Sequence, residues 1–284
     1  MSATIAQLER VALSALQSTL ALDRNDARIE VHLLLQHALL VNRAWLISHA
    51  EDSTTQAQQH TFEVLLQRRL NSEPIAHILG TREFFGMPLK VTPDTLIPRP
   101  DTETLVEAAL EKIPHSTASI SILDLGTGTG AIALAIAKNR PLTHVTAVDF
   151  SERALAIAKE NAELLAIHNV TFLHSHWFSA LSNKRFDVIV SNPPYIAEND
   201  PHLSQGDVRF EPKSALTSGV DGLDDIRHII EQAPQHLNPN GWLLLEHGYD
   251  QAQAVADLLA QAHFIEIGHA LDLAGIQRVT FGRV

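Results

Sequence analysis

The chain has 284 residues, 45% of them hydrophobic, with 21 Lys+Arg against 33 Asp+Glu and no cysteine. Disulfides and thiolate chemistry are thereby excluded, and no apolar run approaches the roughly 18 residues of a membrane-spanning helix. The net charge of −12 disfavours a partner held mainly through its phosphates, which needs clustered basic residues. The balance is 6 basic to 8 acidic residues up to Glu73 and 15 to 25 beyond it, so neither part reads as a nucleic-acid arm. Met1-Ser2-Ala3-Thr4 shows no basic segment leading into an apolar core, so secretion is not expected and the cytoplasm is the expected compartment.

In chain order, Ile5, Leu8, Val11, Leu13 and Leu16, then Ile29 through Leu40, then Phe62 through Leu70 follow helical apolar spacing, which predicts a small helical bundle over residues 1–73. Residues 74–113 read as a hairpin and a stiff connector. Glu83 through Val91 carries a Gly86/Pro88 turn signal, and Pro93, Pro98 and Pro100 follow. Asp101 is placed to cap a helix Thr102–Lys112, with Glu103 in its first turn, where a carboxylate suits the helix dipole.

From residue 114 to 284 short apolar strands alternate with helical stretches, which predicts an α/β, doubly wound, parallel sheet of seven strands. The expected strands are Ser119–Leu125, His144–Asp149, Val170–His174, Phe186–Ser191, Gly241–Glu246, Phe264–Ala270 and Gln277–Gly282. The first runs into Gly126-Thr127-Gly128-Thr129-Gly130 and then a helix from Ala131. Such glycines allow a tight turn and let a ligand approach the amides at a helix start. Asp149 closes the next strand 19 residues beyond Gly130, where a carboxylate can accept both hydroxyls of a ribose. Plain turn glycines and an Asp149 that only caps the following helix are the simpler alternatives. Gly126, Gly128 and Ala131 also satisfy a dinucleotide pattern, so these residues alone leave a nicotinamide cofactor open.

Asn192-Pro193-Pro194-Tyr195 follows the fourth strand, at the strand ends where such sheets bind ligands. Its composition suits holding a planar NH2 group. The Asn192 side-chain oxygen and the Pro193 carbonyl can each accept one hydrogen bond, the prolines fix φ and remove competing donors, and Tyr195 offers a flat face. Two acceptors on an amide nitrogen push electron density back onto it and hold it in line for attack. The sixteen histidines do not amount to a metal site, because His174 and His176 have no Cys or second pair at ligand spacing, so no metal is expected. Glu246 and His247 end a strand near the same sheet edge, and Glu211 is expected to shape a channel rather than act as a base.

With both motifs in place the chain resembles the bacterial release-factor glutamine methyltransferases over nearly its full length. The resemblance also rests on Glu73 through Gly80, Arg82 through Gly86, Leu96 through Glu103, Phe210-Glu211-Pro212, Asp221-Gly222-Leu223 and Asp272 through Gly275. Asn192 through Tyr195 alone is shared with adenine N6 methyltransferases of DNA. A sister family that methylates a ribosomal-protein glutamine carries serine-proline where this chain has Pro100-Asp101, which favours the release-factor branch. The resemblance implies a class I S-adenosylmethionine methyltransferase sheet with an antiparallel last strand and an N-terminal helical domain that helps dock the substrate. It implies S-adenosylmethionine bound by Gly126, Thr127, Gly128, Thr129, Gly130, Asp149, Trp177 and Asn192. A glutamine of a glycine-glycine-glutamine motif in a release factor would be bound by Asn192, Pro193, Pro194 and Tyr195, with Asn192, Pro193 and Tyr195 catalytic. No stable nucleic-acid partner is expected, and a monomer is.

Overall fold

The structure, a computed structural model, describes residues 3–114, 120–204 and 206–284. The chain forms two compact units, Met1–Gly80 with Gln205–Phe210, and Thr81–Ser204 with Glu211–Val284.

In the first unit, helix starts are written in side chains. The Thr4 and Gln7 side chains form a reciprocal cap on α1 (Ile5–Leu20), Asp23 caps α2 (Arg24–Leu39), Asn42 caps α3 (Arg43–Ser48), and Thr55 with Gln58 repeats the reciprocal cap on α4 (Gln56–Leu70). The short α5 (Ile75–Leu79) ends at Gly80 in the left-handed region. Leu16, Val31, Leu34, Leu35, Leu46 and Phe62 form the core. Val11, expected on the buried stripe, is 64% exposed; Ala12 takes the inward position of that turn. Buried Arg69 grips Glu30 through two hydrogen bonds of 2.7 and 3.0 Å, a planar fork on a carboxylate.

The second unit opens with the hairpin of β1 (Thr81–Phe84) and β2 (Met87–Lys90). Its turn is Phe85-Gly86, both at positive φ (49° and 69°), as a two-residue hairpin turn requires; Pro88 lies within β2 rather than in the turn. A 3-10 turn, Pro100–Thr102, precedes α6 (Glu103–Lys112). This corrects the expectation for Asp101: it sits inside the turn, no side chain caps α6, and its carboxylate pairs with Arg278 at 3.2 Å. The Glu103 carboxylate accepts instead from the Phe85 amide at 2.8 Å.

Then follow β3 (Ser121–Leu125), α7 (Ala131–Asn139), β4 (His144–Asp149), α8 (Glu152–Leu164), β5 (Val170–His174), β6 (Phe186–Ser191), α9 (Asp224–His236), β7 (Leu237–Glu246), α10 (Ala252–Gln261), β8 (Ile265–Leu271) and β9 (Gln277–Arg283). Ser119, the expected start of β3, lies outside the described residues. The sheet has seven strands in the order β5-β4-β3-β6-β7-β9-β8. β9 runs antiparallel between β7 and β8, and the other pairings are parallel. β7 begins four residues earlier than expected: Leu237 pairs with Phe186 ahead of a register shift, so Asn240-Gly241 is a kink within the strand and not its boundary. Alternation along the strands divides the core. Ile122, Val188 and Val190 pack with α6 and α7 on one face, while Leu123, Ile189 and Leu243 pack with α9 and α10 on the other.

The topology positions the site. Leu125, the last residue of β3, pairs with Val148 of β4 and with Ser191 of β6, so the segments leaving three strands emerge side by side where the strand order reverses.

Candidate active site

The segment after β3 turns on three glycines, Gly126, Gly128 and Gly130, at φ 72°, 55° and 83°. Two of them answer different needs. A Cβ on Gly130 would press on Ala158 Cβ at 3.2 Å, so glycine there lets α7 lie close to α8, whereas Gly128 has nothing within 4 Å and keeps a bare surface. The loop is tied down from below: the Gly126 and Thr127 amides both donate to Val148 O at 2.9 Å, and the Thr127 hydroxyl donates to Asp124 at 2.6 Å. The Thr129 carbonyl accepts from Asn161 at 2.9 Å. Burial pushes the fully enclosed Asp124 carboxyl up to about 7.

Asp149 accepts from the Gly128 amide through one oxygen and from the Ser151 amide through the other, each at 2.8 Å. Burial raises its pKa against the pull of those amides. It therefore does brace the turn before α8, but Ser151 supplies the helix cap itself. Each Asp149 oxygen keeps further acceptor capacity, and the residue lines a cleft of about 530 Å³ together with Gly126, Gly128, Phe150, Trp177 and Asn192. Trp177, at φ 48°, sets its indole edge 3.5 Å from where a Gly126 Cβ would lie.

After β6, the Ser191 hydroxyl donates to Leu125 O at 2.7 Å and holds the two strand ends together. Asn192 lines the cleft with its Nδ2 donating to Thr102 Oγ1 at 3.2 Å, and its oxygen accepts from no donor among the described residues. Pro194 also lines the cleft, whereas Pro193 is buried and Tyr195 sits behind the lining. The Tyr195 carbonyl accepts from Gln251 at 3.1 Å and its hydroxyl lies 3.4 Å from Glu246 Oε1. Burial, with the charge of Glu246, raises the phenol's pKa, so it stays protonated.

Two curated relatives bear on what this arrangement belongs to. A "Release factor glutamine methyltransferase" of Pseudomonas aeruginosa is 53% identical over 92% of this chain and 94% of its own length. One of Vibrio cholerae is 49% identical over 100% and 98%. The chain belongs to the release factor glutamine methyltransferase family. Family profiles described as "PrmC N-terminal domain" and "Methyltransferase small domain" match residues 12–80 and 101–208. A solved methyltransferase from Pyrococcus furiosus, 19% identical, superimposes with a TM-score of 0.54 over 76% of this chain and 96% of its own, which shows the shared fold.

Within this family member, the site draws on residues that the motifs do not contain. Phe150, directly after Asp149, lines the cleft at 68% exposure; its signal in the sequence was an aromatic residue one place past the end of a strand. Gly222, at φ 76°, lies so close to the Asn192–Tyr195 loop that a Cβ there would meet Tyr195 O at 2.2 Å. Glu211 is buried, accepting from the Ile97 amide at 2.8 Å and from Arg99 at 2.5 Å; it ties the proline connector to the loop beyond the tetrapeptide, as a wall element would. His247 turns away from the cleft, with Nδ1 on Gly248 O at 2.9 Å and Nε2 on Thr280 Oγ1 at 2.7 Å. His174 faces Phe150 O at 2.8 Å. Among the described residues no group of three His, Cys, Asp or Glu side chains could hold a metal, and no helix is long and apolar enough to cross a membrane.

Proposed function

We infer that this chain transfers a methyl group from S-adenosylmethionine to the side-chain amide nitrogen of a glutamine in a peptide chain release factor, modulating translation termination. The observation that carries the reading is the Asn192 side chain: it lines the cleft, one N–H of its amide donates to Thr102, and its oxygen, with no donor among the described residues, serves as the acceptor. An acceptor there recognises a donor, and an amide NH2 has two hydrogens to give. The second acceptor of the reading is the carbonyl of Pro193, the buried residue between Asn192 and Pro194, both of which line the cleft.

The residues present fit S-adenosylmethionine. Gly128 leaves open space over the loop, Asp149 offers carboxylate oxygens at the β4 end for ribose hydroxyls, and Phe150 and Trp177 give flat apolar walls to a purine. When bound, the cofactor supplies a methyl group on a sulfonium, electrophilic without further activation. What the protein must do is orient the weak nucleophile and keep competing water out. Asn192 and the Pro193 carbonyl hold both amide hydrogens, fix the plane of the amide and strengthen its lone pair. As the N–C bond forms and the sulfonium–methyl bond breaks, S-adenosylhomocysteine would leave as a neutral thioether, while the nitrogen becomes acidic and its proton leaves through one of these acceptors to solvent. No strong base is required, which agrees with Glu211 being occupied by Arg99 and Ile97.

The helical domain, residues 1–73, serves in this reading as the docking element for the release factor. Its Ile29 and Ile47, 58% and 57% exposed, line a groove with Leu33 and His32, apolar surface of the kind that partner proteins cover. The acidic chain would hold no stable nucleic-acid complex, and the enzyme would act as a monomer in the cytoplasm. The test is methyl transfer from labelled S-adenosylmethionine offered a release factor, duplex DNA or no substrate. Label in the release factor alone is the expected result; label in DNA, or in neither, would overturn the reading.

A further inference from the structure

Glu246 is a deeply buried ionisable group beside the cleft that the reaction as described leaves without a task. It closes β7 at 1% exposure, and its Oε2 has no hydrogen-bond partner among the described residues. Its other oxygen faces the Tyr195 hydroxyl at 3.4 Å, and the Thr102 hydroxyl acts on the same carboxylate as a donor. Thr102 is also the residue that receives the Asn192 NH2. A threonine hydroxyl has one proton to give. Given to Glu246, it leaves the Thr102 oxygen to accept from Asn192, and an ionised carboxylate can only accept. The series Asn192 to Thr102 to Glu246 therefore runs in one direction, and that direction decides which end of the Asn192 amide faces the cleft.

We propose that Glu246 is a positioning residue that acts through Thr102, with Tyr195 beside it, to keep the Asn192 oxygen turned to the cleft as the acceptor for the substrate amide. This rests on the assignment of Asn192 as that acceptor. Protonated, Glu246 can donate to Thr102, whose own proton then turns to Asn192. The amide reverses and presents NH2 to an NH2. The groups facing Glu246 are Thr102 and Asp101 from the turn before α6, Tyr195 from the loop after β6, and Arg278 from β9. Burial dominates and pushes its carboxyl up to about 7; the Thr102 and Tyr195 hydroxyls and Arg278 pull it down while Asp101 pushes it up. Turnover should then fall as pH drops through this value, because the protonated form is the misdirecting one.

The experiment uses the full chain with S-adenosylmethionine and a release factor, measuring kcat and KM from acid to alkaline pH for wild type, Thr102→Val, Thr102→Ser and Glu246→Gln. Thr102→Val keeps the shape and removes the relay, so kcat should fall roughly tenfold or more while KM for the release factor and the calorimetric affinity for S-adenosylmethionine stay within about twofold. Thr102→Ser should recover most of the loss, and Glu246→Gln should erase the acid limb near neutrality. Wild-type kcat in Thr102→Val, or an unchanged acid limb in Glu246→Gln, overturns the proposal. If Glu246→Gln fails to fold, the valine and serine pair decides alone. A wild-type enzyme that transfers no methyl group removes the reading of Asn192 itself, a failure distinct from normal variants in an active enzyme.

Discussion

The two sides of the cleft are made of different material. At the ends of β3 and β4 the polar contacts are mostly main chain: amides of Gly126, Thr127, Gly128 and Ser151 meeting one carbonyl and one carboxylate. At the ends of β6 and β7 they are side chains brought from far apart, half-buried Asn192 meeting buried Thr102 across 90 residues and half-buried Tyr195 meeting buried Glu246 across 51. A backbone cradle is a shape that any ligand of the right outline can use, so it suits binding. A directed set of side-chain hydrogen bonds fixes one atom, so it suits chemistry. Substitutions on the first side should change affinity for S-adenosylmethionine, and those on the second should change kcat.

The largest effect is expected at Asn192. Asn192→Ala should lower kcat on the order of 10²-fold or more, by analogy with removal of one preorganised hydrogen-bonding group elsewhere, while the affinity for the release factor stays near normal because docking is spread over a protein surface. Asn192→Asp retains an acceptor and should recover part of the loss. Kinetics paired with a binding measurement separate the two quantities, and a lost complex with normal kcat would reverse the assignment of this side.

Next comes Asp149→Ala, which removes a carboxylate acceptor and should weaken S-adenosylmethionine binding by roughly 1.5–3 kcal/mol. Calorimetry checks this. Unchanged affinity would mean that Asp149 serves only to brace the Gly128 and Ser151 amides.

A smaller change is expected from Gly222→Ala, whose methyl would meet the Tyr195 carbonyl and which needs a positive φ. The residue touches neither reactant, so the expected result is a several-fold drop in kcat from a displaced loop, with affinity for S-adenosylmethionine preserved and a stability loss of roughly 1–2 kcal/mol. Equal losses in cofactor affinity and kcat would show that the two sides are not separable.

How much of this was legible in the sequence follows the same division. Gly126 through Gly130, Asp149 and Asn192 through Tyr195 could be read because each is a local pattern at a strand end, and local patterns survive without knowledge of the fold. Thr102 could not be read so, and Glu246 only as a strand end near the same sheet edge, since the link between them arises only when β6 and β7 pair and the turn before α6 comes to lie beside them. Asp101 illustrates the limit from the other side. Its position suited a helix cap, but a 3-10 turn carried it past the helix start, and Arg278, 177 positions on, claimed its carboxylate. The start of β7 was misplaced because Asn240-Gly241, an ordinary turn signal, was absorbed as a kink inside a strand.

The central claim, that the cleft holds an amide nitrogen for methylation, is tested most directly by locating the methyl group. Release factor incubated with the enzyme and labelled S-adenosylmethionine would be digested and its modified peptide fragmented by mass spectrometry. The account predicts a single methyl group on the side-chain nitrogen of one glutamine, absent when Asn192→Ala replaces the wild-type enzyme. A methyl group found on a lysine, a carboxylate or the main chain, or one still added at the wild-type rate by Asn192→Ala, would contradict it.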